Sequence, residues 1–186
     1  MKTASHLLLG RYLADGLGEL RGMRRLAFLA GCAEPDYNII TYLRGSMRHR
    51  PLAGHSFEGA GGYLQRAMAR LRKRGAMRPS DYFRLGKVIH YVADAFTYAH
   101  NANFPGSLRA HRGYEGALKR HLEEYLKNRR PHPRAAAKPT YEALREAHAR
   151  YAALPPSPQK DIRYAVALCG MLFSAFAHSP GNAPGF

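Results

Sequence analysis

Leu85-Gly86-Lys87-Val88-Ile89-His90-Tyr91-Val92-Ala93-Asp94-Ala95-Phe96-Thr97-Tyr98-Ala99-His100-Asn101 is the stretch on which the reading of this chain turns. Leu85, Val88, Ile89, Val92 and Phe96 recur at helical spacing, which predicts a helix with one apolar stripe toward a core. Pro79-Ser80-Asp81 starts it, with Ser80 as N-cap and Asp81 in the first turn, where a carboxylate favours the dipole. Gly86, His90 and Asp94 share an adjoining strip. Gly86 removes side-chain bulk one turn before the histidine, and the i, i+4 pair points both polar groups to one side. His100 follows six residues after Asp94, and His111-x-x-x-Glu115 adds a second pair. Divalent cations are held by imidazole nitrogens and carboxylate oxygens, so this string is a candidate ligand set. Alone, His90 and Asp94 read as a surface hydrogen-bonded pair, and Glu115 and His111 as decoration of a helix start. The order and spacing of all five favour ligation.

Working outward, helical periodicity recurs in at least five segments and strand-like alternation in none, which predicts an all-α, single-domain multi-helix bundle with a metal cluster between its helices. Helices are expected from His6 to Leu17, capped by Ser5, and from Leu20 to Ala30, ended by Gly31. Cys32 to Asn38, broken by Pro35, reads as a loop presenting Asp36. A Gly-rich segment from Gly45 to Gly62 carries His49 and His55, and helix resumes from Tyr63 to Arg74. Further helices are expected at His111 to Lys127, Tyr141 to Leu154 and Pro158 to His178. The implied organisation is a metal-hydrolase core over 1–127, a Pro/Ala/Arg linker over 128–139, a helical pair over 140–178 packing on the core, and a frayed tail over 179–186.

The chain has 186 residues, 46% of them hydrophobic, enough for one core without disulfides. Its two cysteines are far apart and form no Cys-x-x-Cys pair, which excludes a thiolate zinc site and leaves nitrogen and oxygen as metal donors. The formal net charge of +16 suits polyanions such as nucleic acid, an anionic lipid surface or a phosphorylated substrate. The Arg66 to Arg78 cluster reads as a solvated helix face, and Lys87 as a solvated lysine or a phosphate contact. No secretory leader or membrane-spanning segment is recognisable, so the expected location is cytoplasmic. Oligomeric state is not legible.

These residues resemble a known family. Gly86, three residues, His90, three residues, Asp94, then Tyr98-x-His100 resembles the core signature of the zinc-dependent phospholipase C family, which usually carries Pro where this chain has Tyr98. That family is similar in fold to the single-strand-specific fungal nucleases. Asn101-Ala102-Asn103-Phe104 and His111-Arg112-Gly113-Tyr114-Glu115 resemble its Asn-Phe loop and its His-x-x-Tyr-Glu metal pair. Gly31 through Pro35-Asp36 resembles a Gly-x-x-x-Pro-Asp element, and Ser5-His6 its early histidine. The likeness covers Ser5 to Glu115.

The resemblance implies an all-α fold around two or three zinc ions that hydrolyses phosphodiesters, with a phospholipid head group as substrate or, on the same scaffold, nucleic acid. The implied metal ligands are His6, Asp36, His90, Asp94, His100, His111, Glu115 and one loop histidine, His55 being preferred over His49. Asp94 is the implied bridge between two ions, and Asp36 a ligand, a catalytic proton acceptor, or both. Phe57 and Phe104 are expected to line the substrate cleft. Secreted relatives begin at a Trp whose amine and carbonyl ligate a third zinc. This chain has no Trp. Its third site is then empty, completed by water, or completed by another terminal amine; a non-catalytic metal-binding domain is the further alternative.

Overall fold

The computed structural model describes residues 1–17, 20–38, 56–101, 103–105, 107–131 and 138–177. These are all-helical and without strands: α1 (Thr3–Leu17), α2 (Gly22–Tyr37), α3 (Phe57–Arg72), α4 (Pro79–Ala95), a 3-10 turn (Tyr98–His100), α5 (Leu108–Lys127), α6 (Tyr141–Ala152) and α7 (Pro158–Ala177). The expected all-α bundle is what the chain forms.

Helix α4 is the centre of the packing. It lies against α2 most extensively, and also against α1, α3 and α7. Its apolar stripe is buried as expected, but so are His90, Tyr91, Ala93 and Asp94, so from Val88 to Ala95 the helix is enclosed all round. The surface-pair reading of His90 and Asp94 fails for that reason.

Two glycines let α2 approach α4 at backbone distance. A Cβ on Gly86 would collide with the Phe28 carbonyl oxygen and sit 2.8 Å from Cys32 N, and one on Gly31 would collide with the Phe83 carbonyl. Gly31 is therefore a crossing point inside a helix and not the expected C-cap. Helix α2 also runs through Pro35 to Tyr37, where a loop was expected. Proline removes one rung of the ladder. The final turn is held by Asn38 N–H donating to Glu34 O at 3.0 Å and Asn38 Nδ2 donating to Glu34 Oε1 at 2.7 Å.

Several helices start earlier than periodicity suggested, because side-chain oxygens cap them. Ser56 Oγ accepts from Gly59 N–H at 3.1 Å, so α3 includes part of the Gly-rich segment. Ser107 Oγ accepts from Ala110 N–H at 3.3 Å, starting α5 three residues before His111. Helix α4 is capped from Arg78, not Ser80, with Asp81 Oδ2 accepting the Arg78 N–H at 3.2 Å. Helix α1 begins before Ser5. Half of the expected linker and all of the expected tail lie outside the described residues. Among the described residues no helix is long and apolar enough to cross a membrane.

Candidate metal centre

Five separate elements bring His6, Asp36, His90, Asp94, His100, His111 and Glu115 together. His6 comes from α1, Asp36 from the last turn of α2, His90 and Asp94 from α4, His100 from the 3-10 turn, and His111 and Glu115 from α5. His55 and His49 lie outside the described residues.

The side chains fall into two groups with a carboxylate between them. His6, Asp36 and His90 each offer one donor atom within 4.8 Å of the others, and so do His100, His111 and Glu115. Asp94 faces both groups. Its Oδ2 is 3.3 Å from His90 Nε2, while its Oδ1 is 3.1 Å from His6 Nε2 and 3.5 Å from His100 Nε2.

Local structure explains each placement. The glycine crossing brings Asp36 Oδ1 to 3.7 Å from His90 Nε2. His90 Nδ1 lies 2.8 Å from the Cys32 carbonyl, which accepts its proton and leaves Nε2 as the lone-pair nitrogen facing the carboxylates. The rings of His6 and His90 stack with centroids 3.7 Å apart. The turn carrying His100 is held by Thr97 Oγ1 donating to Ala93 O at 2.9 Å and Asn101 Nδ2 donating to Thr97 O at 2.9 Å. One helical turn separates His111 from Glu115, whose Oε1 lies 3.3 Å from His111 Nε2 and 3.2 Å from His100 Nε2.

The electrostatics leave neutral imidazole at His6 beside ionised carboxylates at Asp94 and Glu115. Burial pushes the His6 imidazole down to about 4, helped by His90, so its nitrogens are neutral near pH 7. Burial also lowers His100, outweighing the attraction of Asp94. Burial alone would raise the Asp94 carboxyl, but His100, the Met1 amine, His6 and His90 hold it well below the usual carboxylate range. For Glu115 burial again opposes ionisation, and the bonds from His100 and His111 win. The terminal amine of Met1 lies against Asp94 Oδ1, 2.7 Å from His100 Nε2 and 3.3 Å from Glu115 Oε1. Burial disfavours its charge, yet Asp94 and Glu115 more than compensate and raise its pKa. A positive group is thus drawn to the meeting point of the two donor groups.

The donors also fit a borderline cation chemically. His6 Nδ1 and Asp36 Oδ2 are buried with no hydrogen-bond partner among the described residues, and His6 Nε2 faces Asp94 Oδ1 at 3.1 Å. Buried polar atoms left so are costly unless a ligand engages them. All seven side chains offer nitrogen or oxygen, and both cysteines are free and buried elsewhere in the core.

The two aromatic residues expected in the cleft part company. Phe104 lies beside the second group, its ring 5.9 Å from that of His111. Phe57 is in the core, stacked on His148 at 4.2 Å and on Tyr141 at 5.9 Å. Lys87 is a half-buried lysine whose Nζ pairs with Glu34 Oε2 at 2.6 Å.

Two residues near the site escaped the sequence reading. His148, which lies in none of the motifs, is buried, with Nε2 2.9 Å from Asn101 Oδ1 and 3.1 Å from Ala95 O; both are acceptors, so Nε2 carries the proton. Its place on the apolar face of α6, with Leu144, Ala147 and Tyr151, was the available signal. Asp161 lies in the first turn of α7, in none of the motifs read from the sequence. It is fully buried and accepts three hydrogen bonds.

Fold and centre together define an all-helical protein with two adjoining groups of nitrogen and oxygen donors that could hold cations. The chain matches the family described as zinc dependent phospholipase C over residues 5–157, and belongs to that family. The match continues past Lys127, where no motif was recognisable. No curated protein and no solved structure matches the chain.

Proposed function

We propose that this chain is a zinc-dependent phosphodiester hydrolase of the phospholipase C type, acting on the phosphoester of a phospholipid head group or a smaller analogue. In this reading His6, Asp36 and His90 hold one ion, His100, His111 and Glu115 another, and Asp94 is shared. His55 is the additional ligand that the family resemblance adds. The supporting observation is the pair of donor groups on either side of the buried Asp94 carboxylate.

Zinc in such a centre supplies Lewis acidity, polarising phosphoryl oxygens and making hydroxide available near neutral pH. The remaining work belongs to the protein. Asp36 Oδ2, buried and without a hydrogen bond among the described residues, is the acceptor for the proton of the attacking water. His90, fixed through Nδ1 by Cys32 O, and His6, stacked upon it, hold the floor of the centre rigid. His111 is the most exposed of the seven, at 28%, and with Phe104 beside it marks the side from which the phosphoester enters.

The test is release of phosphocholine from a chromogenic ester, abolished by a chelator and restored by zinc, alongside elemental analysis. Two or three zinc ions per chain are expected. The +16 charge favours a second substrate class on the same centre. Chelator-sensitive cutting of single-stranded DNA without release of phosphocholine would replace the lipid reading with that one. Zinc uptake with neither activity would leave a binding domain.

A further inference from the structure

Three hydrogen bonds converge on the Asp161 carboxylate from three elements. Tyr98 N–H donates to Oδ2 at 2.8 Å, Tyr114 OH donates to Oδ2 at 2.7 Å, and Tyr151 OH donates to Oδ1 at 2.7 Å. Tyr98 is two residues before His100 on the 3-10 turn. Tyr114 is adjacent to Glu115 on α5, three residues after His111. Asp161 itself sits in the first turn of α7 and is fully buried.

A buried carboxylate is costly unless its oxygens are saturated by good donors, and a structural helix contact does not need one. Lys160, its neighbour, favours the charged carboxylate from a distance but donates to it no hydrogen bond: its Nζ lies 3.0 Å from Leu154 O and 3.3 Å from Tyr151 O. Two of the three donors belong to the two elements that carry His100, His111 and Glu115. None belongs to an element carrying His6, Asp36 or His90. The Tyr98 donor is a main-chain N–H, which cannot rotate to accept, so only an acceptor at this place holds the turn. A proline at position 98 would have no such donor.

We infer that Asp161 is a positioning residue for the second metal group, locking the 3-10 turn and α5 to α7 so that His100, His111 and Glu115 stay at ligand distance. The inference rests on the proposed metal centre, and its reach is selective. Residues beyond Lys127, which carry none of the family motifs, thereby become part of the site's frame.

The experiment is zinc titration of the whole protein against a competing chelator, with melting temperature recorded for each variant. Wild type is expected to show two steps, and His6→Ala identifies the one belonging to the first group. Asp161→Asn and Tyr114→Phe should weaken the other step by about 10- to 100-fold, the usual effect of losing an outer support. The His6 step should not move. Tyr151→Phe removes a bond of the same length to the same carboxylate, but from α6, which carries no ligand. It should lower the melting temperature and leave both steps alone. Should Asp161→Asn fail to fold, Tyr114→Phe carries the test. Two unchanged steps in Tyr114→Phe, equal weakening of both steps, or a Tyr151→Phe loss matching that of Tyr114→Phe would overturn the positioning role alone. A wild-type protein that takes up no zinc would refute the metal centre, and this inference with it.

Discussion

Replacing Gly86 by Ala tests whether the backbone-to-backbone crossing of α2 and α4 is what delivers Asp36 to His90. The new Cβ would lie 2.8 Å from Cys32 N and 2.9 Å from Gly31 C, and would overlap the Phe28 carbonyl oxygen. Ordinary contact needs about 3.5 Å, so clearing the Phe28 oxygen, the tightest clash, requires the helices to part by about 1 Å or more. Overpacking costs about 1–3 kcal/mol, and here the obstruction is main chain on a central helix, which places it near 3. Alanine returns about 1 kcal/mol of helix propensity. The net loss is about 2 kcal/mol, or about 4–8 °C in melting temperature for a chain of this size. The same separation lengthens the 3.7 Å approach of Asp36 to His90, so zinc binding at the first group should weaken while the second group is spared. Thermal denaturation and zinc titration measure both. Gly113→Ala is the control, since a Cβ there meets nothing within 4 Å. It should stabilise α5 by about 0.5–1 kcal/mol. A Gly86→Ala protein melting at or above wild type, with wild-type zinc affinity, would refute the crossing argument.

Stripping zinc with a chelator should lower the melting temperature by about 5–11 °C relative to protein held at a hundredfold excess over the dissociation constant, since that saturation stabilises by about 2.7 kcal/mol; scanning calorimetry reads it. Asp94→Asn takes one negative charge from both groups at once, so zinc per chain, measured by elemental analysis of gel-filtered protein, should fall below that of either His6→Ala or His111→Ala. Burial lowers the His148 pKa, so the unfolded chain binds more protons here. Its contribution to stability is therefore complete above the unfolded value of about 6.5 and is lost as pH falls through the folded one. Urea unfolding of wild type and His148→Gln should show a stability gap that is largest at about pH 7.5 and narrows toward about pH 5. A gap that widens on acidification would mean the imidazole is held charged.

The fold class was legible because helical spacing recurs along most of the chain, and the central donors because two of their pairs lie one turn apart on single helices. The boundaries were harder. Pro35 suggested a break, but near a C-terminus it forfeits only one rung, and α2 continues to place Asp36. Gly31 looked like a terminator because its conformational freedom is visible in sequence, whereas the opposing Gly86 backbone that requires its lack of a side chain is not. Phe57 looked like a cleft residue because its neighbours resembled a family stretch; its ring is instead committed to His148. Asp161 was illegible for a more general reason. Its meaning lies in donors 63 and 47 residues away, and no local pattern encodes such a meeting.

The donors reach from His6 to Glu115 and come from five elements, so no single helix holds the whole centre, and the first group alone spans His6 to His90. Closing that long loop carries an entropic cost that must be met before any ion gains its full set of contacts. In the proposed centre, ion capture is therefore expected late in the acquisition of structure, so that a bound ion would report on the whole assembly. Spectroscopic uptake of cobalt during refolding would time the completion of the native topology.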